Sequence, residues 1–336
     1  IADVCKEIFA GGDVPKSALS YEKTAEYNVP IFSNGEKNCG LYGYTNNARV
    51  KEPSITVSAR GTIGYTAIRT EPFVPVVRLI TLTPKSEVID LDYLFYATQN
   101  YKFEGSGTSI PQLTVPMLKK YKFPLPEMSH QKAIAVKFEK LDQLISLRKQ
   151  QLAKLDELVK AQFVEMFGDP KDNRSNLVKI GEIGDLTSGG TPSRSNSEYF
   201  NGSIRWYSAG ELNSLYLPDS IEHISRTALS QSAAKLFEKG TLMIGMYDTA
   251  AFKMGILTEQ SSSNQACANL KPTEQYSVIW LYYLFDIMKP IFLTERQGVR
   301  QKNLSLSKIR NFNIPSAPLS LQNQFAAFVE RVDQQK

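Results

Sequence analysis

The sequence predicts a mixed α/β (α+β) protein in which one module occurs twice, with a long helix closing each copy. Three observations carry that expectation. Residues 108–143 and 299–334 match without a gap when slid by 191 positions (304 minus 113), pairing Leu113/Leu304, Pro124/Pro315, Ser129/Ser320, Gln131/Gln322, Ala135/Ala326 and Glu139/Glu330. Ahead of each stretch lie segments rich in β-branched and aromatic residues, "SITVSARGTIGYTAIR" and "TLMIGMYDTAAFKMGIL", bounded by Gly, Pro and Asn as strands are. Finally, no Gly or Pro interrupts residues 129–167, and apolar residues recur there at steps of three and four.

In chain order, "IADVCKEIFAGGDVPKS" (1–17) and "IGEIGDLTSGGTPSRS" (180–195) open the two copies. Each has an aliphatic and acidic start, a double glycine (Gly11-Gly12, Gly189-Gly190), then Pro and a small, basic tail. The strand-like segments follow, and "DYLFYATQ" (92–99) and "LYYLFDIM" (281–288) read as short helices. Each copy then ends in a helix expected to open at Ser129 or Ser320, where a serine side chain can cap the free N–H groups. The first is the longer, with a seam at Ile134, Phe138, Leu141, Ile145, Leu152, Leu155 and Val159, and at ~1.5 Å per residue it is about 55–60 Å long. "FGDPKDNRSN" ends it with Gly168 and Pro170. The second helix keeps the phase at Phe325, Val329 and Val332, so the two are expected to pair antiparallel and to relate the copies by a pseudo-twofold axis. The implied boundaries are 1–128 for the first module, 129–168 for the long helix, 169–318 for the second module and 319–336 for the short helix.

At 336 residues, two domains are the default for one chain. Hydrophobic residues at 42% and charged residues at 22% are ordinary for a globular protein. The longest nearly apolar stretch, 278–285, is far short of the ~20 residues that span a bilayer. No membrane partner is therefore expected. The chain opens at Ile1 rather than Met, so its true N-terminus is expected to lie upstream. Cys5, Cys39 and Cys267 form no CxxC pair, which fits free thiols in a reducing cytoplasm. Lys and Arg total 39 against 34 Asp and Glu, a net charge of +5 that leans mildly toward a polyanionic partner.

Catalytic chemistry is hard to find. The two histidines, His130 and His223, have no Cys or His at ligand spacing, so neither a metal site nor a His-based triad is expected. No GxxxxGK[ST] stretch occurs, and a lone double glycine after a strand reads more simply as a turn than as a cofactor loop. "GDPKD" (168–172) resembles a nuclease carboxylate–lysine signature, but it sits where a helix stops and reads as a linker. No catalytic residue and no cofactor is expected.

What remains is a binding pattern. Gly-rich turns can aim backbone N–H groups at phosphates, and here they are followed by Lys16 and Ser17 in one copy and by Ser193 and Arg194 in the other. The hairpin-like segments offer Arg60 and Thr62 in the first copy, and Tyr247, Thr249 and Lys253 in the second. "RQGVRQKN" (296–303) gathers Arg300, Gln301, Lys302 and Asn303, side chains that read bases bidentately or hold phosphates. Any one of these could equally be a solvated loop residue; the shared context supports the set.

With these residues in view, the chain resembles the specificity subunit of type I restriction–modification systems. The resemblance rests on "GGTPSRS", "NQACANL", "RQKNLSLSKIRNFNIPSAPLSLQNQ" and "LDQLISLRKQQLAKLDELVKAQFVEMFGDP", and it covers nearly the whole chain. It implies two target-recognition domains, each reading one half of a split, asymmetric site in double-stranded DNA. It further implies that the helices act as a ruler and dock two modification subunits, which restriction subunits then join, while the chain itself neither methylates nor cuts. The first copy departs from the family's opening with "AGGDVPKS", and the last helix is short. Two rivals of other classes are the recognition portion of a fused methyltransferase–endonuclease and a two-module scaffold that binds only protein.

Overall fold

The computed structural model describes residues 1–106, 111–173, 176–296 and 303–336. They form two compact units, Ile1–Arg148 and Lys149–Lys336.

The first unit is built on an antiparallel sheet with strand order Cys5–Ala10, Ile80–Pro84, Ser54–Val57, Thr66–Arg69. Every residue of Ser54–Val57 and Ile80–Pro84 is buried, as β-branched central strands require. A smaller sheet pairs Val29–Phe32 with Leu41–Thr45 antiparallel and with Val74–Pro75 parallel. Three helices follow: α1 (Leu91–Gln99), α2 (Val115–Lys119) and α3 (Met128–Phe167), whose residues from Lys149 on belong to the second unit. Asp90 caps α1 by accepting from the Tyr93 amide at 3.0 Å, and Thr114 caps α2. The core gathers Ile55, Val57, Leu82, Leu94, Leu113 and Leu118.

The second unit repeats this plan. Gly184–Ser188, Cys267–Pro272, Leu242–Gly245 and Met254–Ile256 take the four sheet positions in the same order, and Asn213–Tyr216 adds a fifth strand parallel to Met254–Ile256. The small sheet recurs as Glu222–Ile224, Ile204–Tyr207 and Ser262–Ser263, again antiparallel and then parallel. Helix α4 (Arg226–Gln231) is an addition; α5 (Val278–Thr294), α6 (Leu306–Asn311) and α7 (Leu319–Asp333) match α1, α2 and the start of α3. Ser277 and Ser305 cap α5 and α6 where Asp90 and Thr114 cap α1 and α2. Leu177–Lys179 also pairs with Asn313–Pro315 beside this sheet.

The repeated Gln131/Gln322 pair now has a physical reason. Gln131 is buried; its Oε1 accepts from the Asp90 amide at 2.9 Å, and its Nε2 donates to the Val88 and Pro126 carbonyls at 3.1 and 2.8 Å. Gln322 does the same with the Ser277 amide (2.9 Å) and the Gln275 and Ala317 carbonyls (3.4 and 2.7 Å). One buried amide side chain thus ties the closing helix to the cap of the preceding helix and satisfies three part-buried backbone groups.

Three sequence expectations need correction. The closing helices start at Met128 and Leu319, so Ser129 and Ser320 lie inside the first turn; Pro318 holds the cap position of α7 and makes no side-chain cap bond. Nor is the helix around 281–288 short: α5 runs 17 residues, because eight of its residues are buried against the sheet and the aromatic side chains of α3 and α7, and tertiary packing sustains it across Pro290. Three of the four double-glycine amides are engaged by the protein's own carbonyls and do not point outward. Gly11 donates to the Leu79 carbonyl at 2.8 Å, Gly189 to that of Cys267 at 3.2 Å and Gly190 to that of Ser263 at 2.9 Å. A Cβ on Gly11 would sit 2.5 Å from the Pro75 carbonyl oxygen, so the small residue permits a close backbone crossing.

Within the second unit, the end of α3 packs antiparallel to α7. Phe325 meets the rings of Phe163 and Phe167 at 5.2 and 5.9 Å, and eleven residues later Lys336 reaches back to Asp156 at 2.6 Å. Val159, Phe325, Val329 and Val332 are buried there, Leu155 packs against them and Leu152 is half-buried. In the first unit, Ile134 packs against its own unit's core and Phe138 stacks on Tyr96 at 5.1 Å. Leu141 and Ile145 are 51% and 53% exposed.

Candidate nucleic-acid interface

In each unit, the hairpin of the main sheet and the segment before the second short helix are brought together. In the first unit the Ala59 carbonyl accepts from the Leu113 amide at 2.9 Å; in the second, the Met246 carbonyl accepts from the Leu304 amide at 2.8 Å. That register makes Arg60 the counterpart of Tyr247 and Gln112 the counterpart of Asn303. Arg60 is exposed, and its Nε and Nη2 both donate to Gln112 Oε1, at 3.0 and 2.7 Å. Across in the second unit, the Asp248 amide donates to Asn303 Oδ1 at 3.0 Å. Both units thus fasten the hairpin tip to the following loop through a side-chain amide, with Arg60 and Thr62, or Tyr247 and Thr249, exposed on the tip. Lys253 is half-buried further along the second hairpin.

The second unit adds a cleft of about 470 Å³ lined by Ser188, Tyr247, Gln265, Asn303, Ser305 and Lys308 among others. Its lining offers amide, hydroxyl, phenol and ammonium groups, a donor and acceptor set suited to base edges and phosphates. Tyr247 and Asn303 are therefore brought together in one concavity. Arg300, Gln301 and Lys302 lie outside the described residues.

The candidates beyond the double glycines lie apart from that cleft's lining. Lys16 and Ser17 are exposed on a short 3-10 turn. Ser193 hydrogen-bonds Ser195 at 2.8 Å. Arg194 is exposed but engaged: it forms a bidentate pair with Glu222 and lies over the Phe200 ring at 4.4 Å. That hydrogen-bonded guanidinium holds the Glu222 carboxyl below its usual value. An anion bound at Arg194 must compete with this carboxylate.

Among the described residues no three His, Cys, Asp or Glu side chains gather closely enough to hold a metal ion, and no helix is long and apolar enough to cross a membrane. Burial pushes the Cys267 thiol up to about 12 and the Cys5 thiol up to about 11, so neither is a ready nucleophile at neutral pH.

The family of type I restriction modification DNA specificity domains matches residues 1–157 and again residues 173–336. The chain belongs to this family. Two matches in one chain are what the doubled sheet, helix caps and buried glutamines lead one to find. Two proteins of Mycoplasma pneumoniae described as type I specificity subunits are 38% identical over 141 residues and 39% identical over 135 residues. These stretches cover 42% and 40% of this chain, and only 38% and 40% of the relatives' own length. The crystal structure of a type I restriction–modification S subunit from M. genitalium superposes with a TM-score of 0.58 at 18% identity, covering 98% of this chain and 87% of that one. The specificity-family fold is therefore shared across nearly the whole chain.

Sequence reading missed Gln112, Asn34 and Gln265 as members of the site. Gln112 could have been found from the repeat, since 112 plus 191 is 303, the position of Asn303. Asn34, whose Oδ1 accepts from the Ala59 amide at 2.7 Å beside Arg60, has no counterpart to flag it: the Val76 amide bonds the Phe32 carbonyl as the Asn264 amide bonds that of Tyr207, which sets Ala209 in the matching position.

Proposed function

We propose that this chain is the DNA-reading component of a type I restriction–modification assembly, in which each unit recognises one half of a bipartite site. The observation that carries the reading is a framework stated twice with different side chains at its exposed tips. Arg60 and Gln112 stand where Tyr247 and Asn303 stand in the other unit, so equivalent positions offer different donors and acceptors to DNA. Two unlike readers on one chain suit an asymmetric site.

The chain itself carries no methyl transfer and no DNA cleavage. It works beside modification subunits, which restriction subunits join, in the cytoplasm where the DNA is. Lys16, Ser17, Thr62, Ser193, Arg194, Thr249, Lys253, Arg300 and Lys302 supply contacts to the DNA backbone, while Arg60, Tyr247, Gln301 and Asn303 address base edges.

Titration of the purified chain against a random and a selected duplex at rising salt tests this. Log affinity should fall linearly with log salt, by about 0.9 per phosphate neutralised, and the selected duplex should bind tighter at every salt. Methylation should appear only when a modification subunit is added. Affinity with no salt dependence and no preference for any duplex would point instead to a scaffold that binds only protein.

A further inference from the structure

The two units hold equivalent four-residue turns between the last strand of the small sheet and the main-sheet strand that follows it, Ile80–Pro84 or Cys267–Pro272. In the first, the Leu79 amide donates to the Val76 carbonyl at 3.0 Å and the Val76 amide to the Phe32 carbonyl at 2.8 Å. In the second, the Cys267 amide donates to the Asn264 carbonyl at 3.2 Å and the Asn264 amide to the Tyr207 carbonyl at 2.9 Å. Val77 and Arg78 in one unit therefore match Gln265 and Ala266 in the other.

The backbone of the two turns differs. Val77 and Arg78 have φ of 52° and 68°, the left-handed region at both central positions, whereas neither Gln265 nor Ala266 has a positive φ. A β-branched residue is disfavoured there, and Asn-Gly is the pair that such a turn selects when only folding matters. The surroundings hold the strained form in place. The Val77 amide donates to the Gly12 carbonyl at 2.8 Å and the Arg78 amide to that of Gly11 at 3.1 Å. Asn34 Nδ2 donates to the Val77 carbonyl, while Asn34 Oδ1 accepts from the Ala59 amide at 2.7 Å, next to Arg60. One asparagine thus locks the turn against the hairpin that carries Arg60. The double glycine serves as the seat of the turn.

The side chains at this strained turn face solvent. Val77 is 44% exposed, and Arg78 is exposed, its guanidinium with no hydrogen-bond or ion-pair partner among the described residues. In the second unit, the matching Gln265 is exposed at the polar cleft beside Tyr247 and Asn303, hydrogen-bonded by Thr191. We propose that this turn is a specificity-determining element in both units: Val77 and Arg78 read one half-site and Gln265 reads the other. An exposed aliphatic suits a thymine methyl, an unengaged Arg suits guanine O6 and N7, and a Gln amide suits adenine N6 and N7. The inference deepens the DNA-reading function and rests on it.

The test uses the full chain and a randomised duplex library, sequenced after selection. The double variant Val77→Asn, Arg78→Gly installs the residues that positive φ favours, so its thermal midpoint should equal or exceed the parent's. It should keep binding DNA yet lose preference at one or two positions of a single half-site, by about 10- to 100-fold in relative affinity. Gln265→Ala should relax one position of the other half-site and leave the first intact. An unchanged selected motif in both variants would overturn the inference while leaving the DNA-reading function standing. A uniform loss across all sequences would overturn it too, by making these residues phosphate contacts. A parent chain that selects no motif at all would instead remove the function on which the inference rests.

Discussion

The two units share a framework and differ in how the long helix is used. In the second unit α3 contributes Val159 and Phe163 to a closed core with Trp280 and Phe325, in which Phe163 is fully buried and lies 6.3 Å from the Trp280 ring. In the first, Phe138 stands where the buried Val329 stands in the second; it stacks on Tyr96 but is 46% exposed, and Leu141 and Ile145 are open to solvent. The difference teaches that the repeat preserves what ties each unit together internally, the sheet order and the glutamine clamp, and frees what faces outward. The outward side is where function is expected to diverge, since surface loops change without loss of core.

The largest expected effect tests the helix comparison. Phe163→Ala should destabilise the second unit by about 3–5 kcal/mol, because it removes a buried ring from a packed aromatic cluster. Phe138→Ala should cost the first unit only about 1 kcal/mol, mostly the loss of one stacked pair. Trp206 and Trp280, the two tryptophans of the chain, both lie in the second unit, so tryptophan fluorescence in a denaturant series reports that unit alone. Its midpoint should fall with Phe163→Ala and stay put with Phe138→Ala. Equal shifts would break the comparison.

The glutamine clamps should instead cost the same in both units. Gln131→Ala and Gln322→Ala each leave one part-buried amide and two carbonyls without their partner, a loss of about 1 kcal/mol. Hydrogen exchange at the Asp90 and Ser277 amides, the groups that donate to these glutamines, should accelerate in the respective variants. Acceleration in one unit only would show that the shared residues carry unequal weight.

A smaller effect sharpens the comparison of the hairpin tips. Gly61 has φ of 69° with nothing within 4 Å of an added Cβ, so Gly61→Ala isolates backbone strain and should cost about 1 kcal/mol. Asp248 occupies the matching place with φ of 48°, and Asp248→Gly should gain about 0.5 kcal/mol. Thermal melts of the two variants should move in opposite directions.

Much of the fold was legible in the sequence because the repeat supplied a second reading of most elements. The strands around 54–69 and 242–256, the turn at Gly168 and the pairing of Phe325 with the end of α3 all follow from periodicity and spacing. The register of the small sheet was not legible, since Val74–Pro75 and Ser262–Ser263 are two-residue strands whose parallel partners lie more than forty residues away. The engagement of the double glycines was hidden for a related reason: the Gly11, Gly189 and Gly190 amides are satisfied by carbonyls remote in sequence, those of Leu79, Cys267 and Ser263. At the candidate site, residue types could be nominated but not their engagement. Arg194 and Arg60 look alike in sequence, yet one is paired with a carboxylate and the other with a neutral amide. The strain at Val77 left no trace in sequence at all, because nothing in the local residues calls for positive φ.

The most direct measurement of the central claim, that the two units read separate half-sites, is methylome sequencing of a host carrying a chimaera. In it, residues 180–318 are replaced by the corresponding segment of another specificity-family member with a different motif, and the modification subunits are left unchanged. The account predicts a methylated motif in which one half is new and the other is that of the parent. A motif altered in both halves, or in neither, would contradict it.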